Sequence, residues 1–292
     1  MCGIVGLHLR EPTLHPRLGE LLAAMLGQLA ERGPDSAGVA VYGDPVLTPP
    51  GRSTVSLLHV SDTTPLSEHL PDVKTIPLGQ TTLVHAPVTT DTLLTAVTAT
   101  LPGATVIGSG TGVAVMKGTG HPADLTRSLG LAGMTGWQGV GHTRMATESA
   151  VTPEGAHPFS VGPDQCLVHN GSFANHATIR RELRADGVVF DSENDSEVGA
   201  RFVTHQLARG ADLEKALRLL CERFDGFYTL LVSTADSFAV VRDAIACKPA
   251  LIAETPQWVA MASEYRALAV LPGVDAARIF EPEPEEVYVW TR

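Results

Sequence analysis

Cysteine is scarce. The 292 residues hold four, Cys2, Cys166, Cys221 and Cys247, and no two form a CxxC pair, which argues against a zinc knuckle or a disulfide scaffold. Basic residues are outnumbered, 21 Lys+Arg against 32 Asp+Glu, for a net charge of -11. They form no dense cluster, so nucleic acid is not an expected partner. Long apolar runs are missing too. The low-charge stretch 75–115 is broken by Thr, Gly and Pro, and no membrane span is expected. No positive charge precedes the first apolar residues, and Arg10 and Glu11 interrupt them, so no signal peptide is expected. What is present is 44% hydrophobic and 18% charged. That describes an acidic globular protein with a sizeable core, expected in the reducing cytoplasm.

Residues 3–9 are a short apolar run that predicts a buried strand, and the leucines and Met25 of 17–32 recur at helical spacing until Gly33-Pro34. Residues 37–42 read as a second strand. Between 43 and 136 the signals weaken, with short strands expected at 54–60 and 105–107. Gly108, Gly110 and Gly112 lack the spacing of a dinucleotide fingerprint and read as a turn between strands. Pattern returns at 139. Strands are expected at 139–143, 165–169, 226–232, 238–242, 250–253, 258–262 and 286–290, with a hairpin across 233–237. Helices are expected at 174–184, 196–209, 212–224 and 264–270. Strands grouped with strands and helices with helices argue for packed layers of antiparallel sheet, not a doubly wound fold. Residues 2–292 read as a single domain with an elaboration at about 43–136.

Cys2 follows the initiator Met, and a residue this small is compatible with removal of that Met. A terminal α-amine, with a pKa of about 7.7–8.0, would then stand beside the thiol and could take its proton. The other reading is a small residue buried beside the first strand. The neighbouring sequence favours the first. Met1-Cys2-Gly3-Ile4-Val5-Gly6 is followed by Arg32-Gly33-Pro34-Asp35-Ser36-Ala37-Gly38. Then come Gly141-His142-Thr143-Arg144-Met145-Ala146-Thr147, His157-Pro158-Phe159, His169-Asn170-Gly171, Asn194-Asp195-Ser196-Glu197 and Arg242-Asp243-Ala244-Ile245-Ala246-Cys247-Lys248-Pro249. Ala262-Ser263-Glu264 with Ala267-Leu268 closes the series. In this order the chain, over 2–42 and about 138–290, resembles the class II glutamine amidotransferases of the N-terminal-nucleophile hydrolase family.

The resemblance implies an α+β fold, a four-layer αββα sandwich of two stacked, mainly antiparallel sheets. It implies hydrolysis of the L-glutamine side-chain amide through a Cys2 thioester, with release of ammonia. Asn170 and Gly171 would stabilise the oxyanion, the alternative for them being an Asn-Gly turn after a strand. Arg144 would fork onto the substrate α-carboxylate and Asp195 would accept from its α-ammonium, unless Asp195 serves only as a first-turn helix acid. Thr147 would line the same pocket, and Arg32 would close over the nucleophile or simply build the turn. His157 and His169 are expected to be structural, and Cys166, Cys221 and Cys247 to be core thiols. Met145 replaces an aromatic residue common in the family, and Glu148 follows Thr147. The Arg144-Met145-Ala146-Thr147-Glu148-Ser149 string is most similar to the glutamate-synthase-related branch, in particular the stand-alone amidotransferase subunit of N-methylglutamate-synthase-like complexes. That branch implies a hetero-oligomer in which a separate synthase subunit receives ammonia through a channel. This chain would carry no cofactor or metal, and any FMN or iron–sulfur group would belong to the partner. A stand-alone γ-glutamyl amidohydrolase and a non-catalytic glutamine-sensing module are the alternatives.

Overall fold

The computed structural model describes residues 1–146 and 150–292. Its centre is the strand Gly3–Leu9, every residue of which is buried. A strand covered on both faces needs an unbroken apolar run, which is what 3–9 supplies. Its side chains divide between two cores. Val5, Leu7 and Leu9 join the cluster under the helix Leu18–Gln28, while Ile4 faces a second sheet. Gly3–Leu9 pairs antiparallel with Trp258–Ala262 on one side and Gln138–Arg144 on the other. The full seven-stranded order is Arg278–Phe280, Leu251–Glu254, Trp258–Ala262, Gly3–Leu9, Gln138–Arg144, Ser36–Tyr42 and Val113–Thr119.

The second sheet is antiparallel, in the order Val287–Thr291, Ser237–Arg242, Gly226–Ser233 and Cys166–Phe173. Ile4, Ala40, Val115 and Val140 of the first sheet meet Val168, Leu231, Phe238 and Val240 of the second. Each such aliphatic side chain removed from water is worth roughly 1.5–3 kcal/mol, which holds the sheets face to face. Helices His176–Ala185, Asp195–Ala208 and Leu213–Arg223 cover the outer face of the second sheet through Phe173, Val198, Phe202, Leu217 and Phe224. The layers therefore run helix, sheet, sheet, helix, the expected αββα order.

Residues 43–136 divide. Lys74–Leu78, Thr81–Ala86, Ser53–Leu58 and Thr105–Gly110 form a third sheet. It has its own core of Val55, Leu57, Val84, Leu93 and Val97 beneath the helices Thr64–His69 and Thr90–Thr100. Val113–Thr119 returns to the main sheet against Ser36–Tyr42. Of the glycine-rich stretch, Gly108 and Gly110 belong to the strand Thr105–Gly110, and the expected turn is confined to Thr111 and Gly112, whose amides are already engaged. Asp164 accepts from the N–H groups of Thr111, Gly112 and Val113 at 2.8–3.1 Å.

Several element bounds differ from expectation. The first helix ends at Gln28, and 30–32 is a single 3-10 turn. The last predicted helix shrinks to Tyr265–Leu268. No helix among the described residues is long and apolar enough to cross a membrane.

Candidate active site

At one end of the sandwich the inter-sheet layer changes from apolar to polar. A cavity of about 730 Å³ opens there, and its walls include Cys2, Arg32, Arg144, Asn170, Gly171 and Asp195. Six of the seven residues singled out from sequence thus share one cavity. The seventh, Thr147, lies outside the described residues.

Cys2 stands where the strand Gly3–Leu9 begins. Its carbonyl accepts from Arg32 Nε at 3.0 Å and from Asn170 Nδ2 at 3.2 Å. Arg32 is in turn ion-paired with Glu264, so it braces the Cys2 backbone at the cavity wall. The Cys2 Sγ accepts from Met145 N at 3.4 Å. Asp35 keeps that amide in place, because its Oδ2 takes the next N–H, that of Ala146, at 2.8 Å. Gly33 lets the turn close on the strand end, since a Cβ there would lie 2.4 Å from Arg144 N. Burial pushes the Cys2 thiol up. His142, the Met145 amide and the terminal ammonium outweigh it and bring the thiol down to about 7. The Met1 ammonium, on an exposed residue at the cavity wall, donates to Arg32 O at 2.9 Å.

Asn170 and Gly171 lie inside the strand Cys166–Phe173, opposite Thr229 and Tyr228, so the Asn-Gly turn reading is excluded. Gly171 has φ +145°, and a Cβ on it would sit 2.0 Å from Phe227 O. Only glycine fits there without displacing the neighbouring strand. The Asn170 amide also reaches Ser263 Oγ at 3.3 Å, and that hydroxyl accepts from Ile4 N at 2.9 Å. The first residues of one sheet and a strand of the other are therefore tied together across the site.

Arg144 ends its strand 7% exposed, with Nη1 donating to Ala150 O at 3.3 Å, and is not a surface charge. Asp195 opens the helix Asp195–Ala208, which Asn194 caps by accepting from Ser196 N. Its Oδ2 accepts from Phe173 N at 2.9 Å. It is both a first-turn acid and a cavity residue.

His157 and His169, expected to be structural, also line the cavity. Burial, followed by the charges of His142, His169, Lys117 and Arg144, drives His157 well below the ordinary histidine value. Burial lowers His169 as well, against the pull of Asp195. The His157 loop is held from behind by Lys117, whose buried ammonium donates to the carbonyls of Glu154, Ala156 and Pro158 at 2.9–3.4 Å.

The Arg242-to-Pro249 motif closes another wall. Asp243 accepts from Tyr228 N and Ile245 N, and Arg242 Nη2 donates to Lys248 O at 2.9 Å. This brings Lys248 and Pro249 to the cavity, where Lys248 Nζ lies 5.0 Å above the Phe227 ring. Cys166 is buried as expected and Cys221 partly so. Cys247 is exposed, a correction to its assignment as a core thiol. It lies in the loop after Arg242, outside any strand or helix.

Sequence reasoning gave no role to His142, Asp35, Ser263 or Glu264. All four sit within the quoted motifs, which was their one available signal. Among the described residues no group of three or more His, Cys, Asp or Glu is placed to hold a metal ion.

A family model described as a glutamine amidotransferase domain matches residues 142–270. The glutamine amidotransferase-like protein GlxB of Rhizobium meliloti is 45% identical, covering 99% of this chain and 98% of its own. A putative glutamine amidotransferase of Methanothermobacter thermautotrophicus is 30% identical, with 99% of both chains covered. Among solved structures, the glutamine phosphoribosylpyrophosphate amidotransferase of B. subtilis matches with a TM-score of 0.64 at 19% identity. That match covers 99% of this chain and 47% of the other, so the two share a fold and this chain spans about half of that one's length.

Proposed function

The chain belongs to the class II glutamine amidotransferases, and from that premise we propose that it hydrolyses L-glutamine to glutamate and ammonia through a thioester on Cys2. The observation carrying this reading is the convergence of a thiol drawn down to about 7, the Asn170 carboxamide and the charged pair Arg144 and Asp195 on one cavity. Free glutamine is a zwitterion at its α end. Arg144 suits the carboxylate and Asp195 the ammonium, which leaves the side-chain amide to reach the sulfur.

The sulfur attacks the amide carbon, and the oxyanion forms where Asn170 Nδ2 and the Gly171 N–H can donate. The leaving nitrogen takes a proton and departs as ammonia, and water then releases glutamate from the thioester. Loss of the exposed Met1 would turn the Cys2 backbone nitrogen into a free α-amine on the same residue as the thiol, where it can carry the proton from sulfur to the leaving group.

Ammonia then passes to a separate synthase-type subunit. Exposed apolar residues at the cavity wall support a docked partner there: Met145 is 47% exposed and Phe227 39%. The test measures glutamate formation from glutamine with wild-type and Cys2→Ala protein, before and after a candidate synthase subunit is added. Cys2-dependent turnover raised by the partner is the expected result. Turnover that survives Cys2→Ala refutes the nucleophile. Cys2-dependent turnover that favours bulky γ-glutamyl amides and ignores every partner would make the protein a stand-alone amidohydrolase.

A further inference from the structure

His142 is wholly buried, and its Nε2 lies 2.9 Å from Asn170 Oδ1. The hydrogen positions at this contact follow from its surroundings. Asn170 faces the Cys2 carbonyl at 3.2 Å, and a carbonyl can only accept, so the atom turned toward it is the NH2 group. The atom turned toward His142 is then the carboxamide oxygen, which also can only accept. His142 Nε2 must carry the hydrogen, in either charge state of the ring.

Rotating the carboxamide by half a turn would oppose two oxygens at Cys2. It would also point NH2 at the Nε2–H. The histidine thereby fixes which end of Asn170 reaches the nucleophile. The ring is itself fixed, because His157 packs on it with centroids 4.3 Å apart and Ile4 stands opposite it across the strand pair. His142 Nδ1 has no hydrogen-bond partner of normal geometry among the described residues, so the ring's short hydrogen bond is the one from Nε2 to Asn170, while its nearness to Cys2 separately lowers that thiol.

We propose that His142 is a positioning residue for the reaction, donating from Nε2 to Asn170 Oδ1 so that the carboxamide NH2 is presented at Cys2. The proposal rests on the reading of Asn170 as an oxyanion donor. The reacting group touches Asn170, and His142 acts through it. A side chain free to flip presents a donor for only part of the time, and presents an oxygen to a developing anion for the rest.

The experiment is a double-variant cycle on the full chain. H142L is expected to lower kcat about 10²-fold, with KM within about threefold of wild type. H142Q places an amide nitrogen near the Nε2 position and is expected to restore kcat to within about tenfold of wild type. H142L/N170A is expected to lose clearly less than the product of the two single losses, because both changes remove the same presented donor and only the direct influence of His142 on the Cys2 thiol is left to add. Wild-type kcat in H142L, or losses that multiply in the double variant, would overturn the proposal.

The same cycle is read without turnover by ¹⁵N NMR of the Asn170 carboxamide. A shifted or doubled signal in H142L supports the tether, and an unchanged one overturns it. Absence of Cys2-dependent glutaminase in the wild type would defeat the functional reading, and the NMR result would still decide the tether. If H142L fails to fold, H142Q carries both measurements, with kcat within about tenfold and an ordered carboxamide signal expected. A disordered carboxamide with kcat unchanged would overturn the proposal.

Discussion

Cys2 and Cys166 carry the same thiol within the same two-sheet body, and burial pushes both upward. Cys166 lies in the apolar layer between the sheets, where burial prevails over hydrogen bonds from Tyr42 and Ser160 and lifts the thiol to about 12. Cys2 lies at the end of that layer, where His142, the Met145 N–H and a terminal ammonium reverse the outcome and bring it to about 7. Reactivity here is a property of position along the sandwich. The middle of the inter-sheet layer makes an inert thiol, and its polar end makes a nucleophile.

The contrast can be broken most severely by Cys2→Ala, which should cut glutamine hydrolysis at least about 10³-fold, while Cys166→Ala leaves it within about twofold. A steady-state glutaminase assay of both variants checks this. Next in size, Asn170→Ala should lower kcat about 10²–10³-fold with little change in KM, and Asp195→Ala should act mainly on KM. If both variants moved only KM, Asn170 would be a binding residue.

The two thiols also separate by pH. A lowered pKa means that the Cys2 thiolate is present above about pH 7 and is lost as pH falls through it. Iodoacetamide labelling followed by peptide mapping should show Cys2 modified with a midpoint near 7, against 9.0 for an ordinary thiol. Cys166 should stay unmodified until the protein is denatured. The smallest effect expected is on stability, where Cys166→Ala should cost about 1 kcal/mol in chemical denaturation through the gap it leaves.

The sandwich was legible because its strands are covered on both faces. Residues 3–9, 228–232 and 238–241 are buried and apolar apart from His8 and Thr229, and helices such as Leu213–Arg223 show one buried face, with Leu213, Ala216, Leu217 and Leu220 at helical spacing. The third sheet was legible only in part, since the strands expected at 54–60 and 105–107 are present as Ser53–Leu58 and Thr105–Gly110 but its other elements were not expected. Lys74–Leu78 is mostly exposed and contains Pro77, and Thr90–Thr100 is half threonine-rich surface with only Leu93 and Val97 buried, so neither has the pattern of a core element.

At the site, Cys2, Arg144, Asn170, Gly171 and Asp195 could be located from ordered motifs. The tie between His142 and Asn170 could not be read, because it joins residues of different sheets and depends on which way a carboxamide faces. Asp35 escaped notice for a related reason. Its work is a hydrogen bond to the backbone of Ala146, 111 positions away, and no local pattern records such a bond.

The most direct measurement is reaction of the full chain with a diazoketone analogue of glutamine, an electrophile at the position of the side-chain amide, followed by peptide mass spectrometry. One adduct on Cys2, suppressed by excess glutamine and absent from Cys2→Ala, is the predicted result. An unmodified Cys2, or an adduct confined to the exposed Cys247, would contradict the assignment of the polar end of the sandwich as a glutamine site.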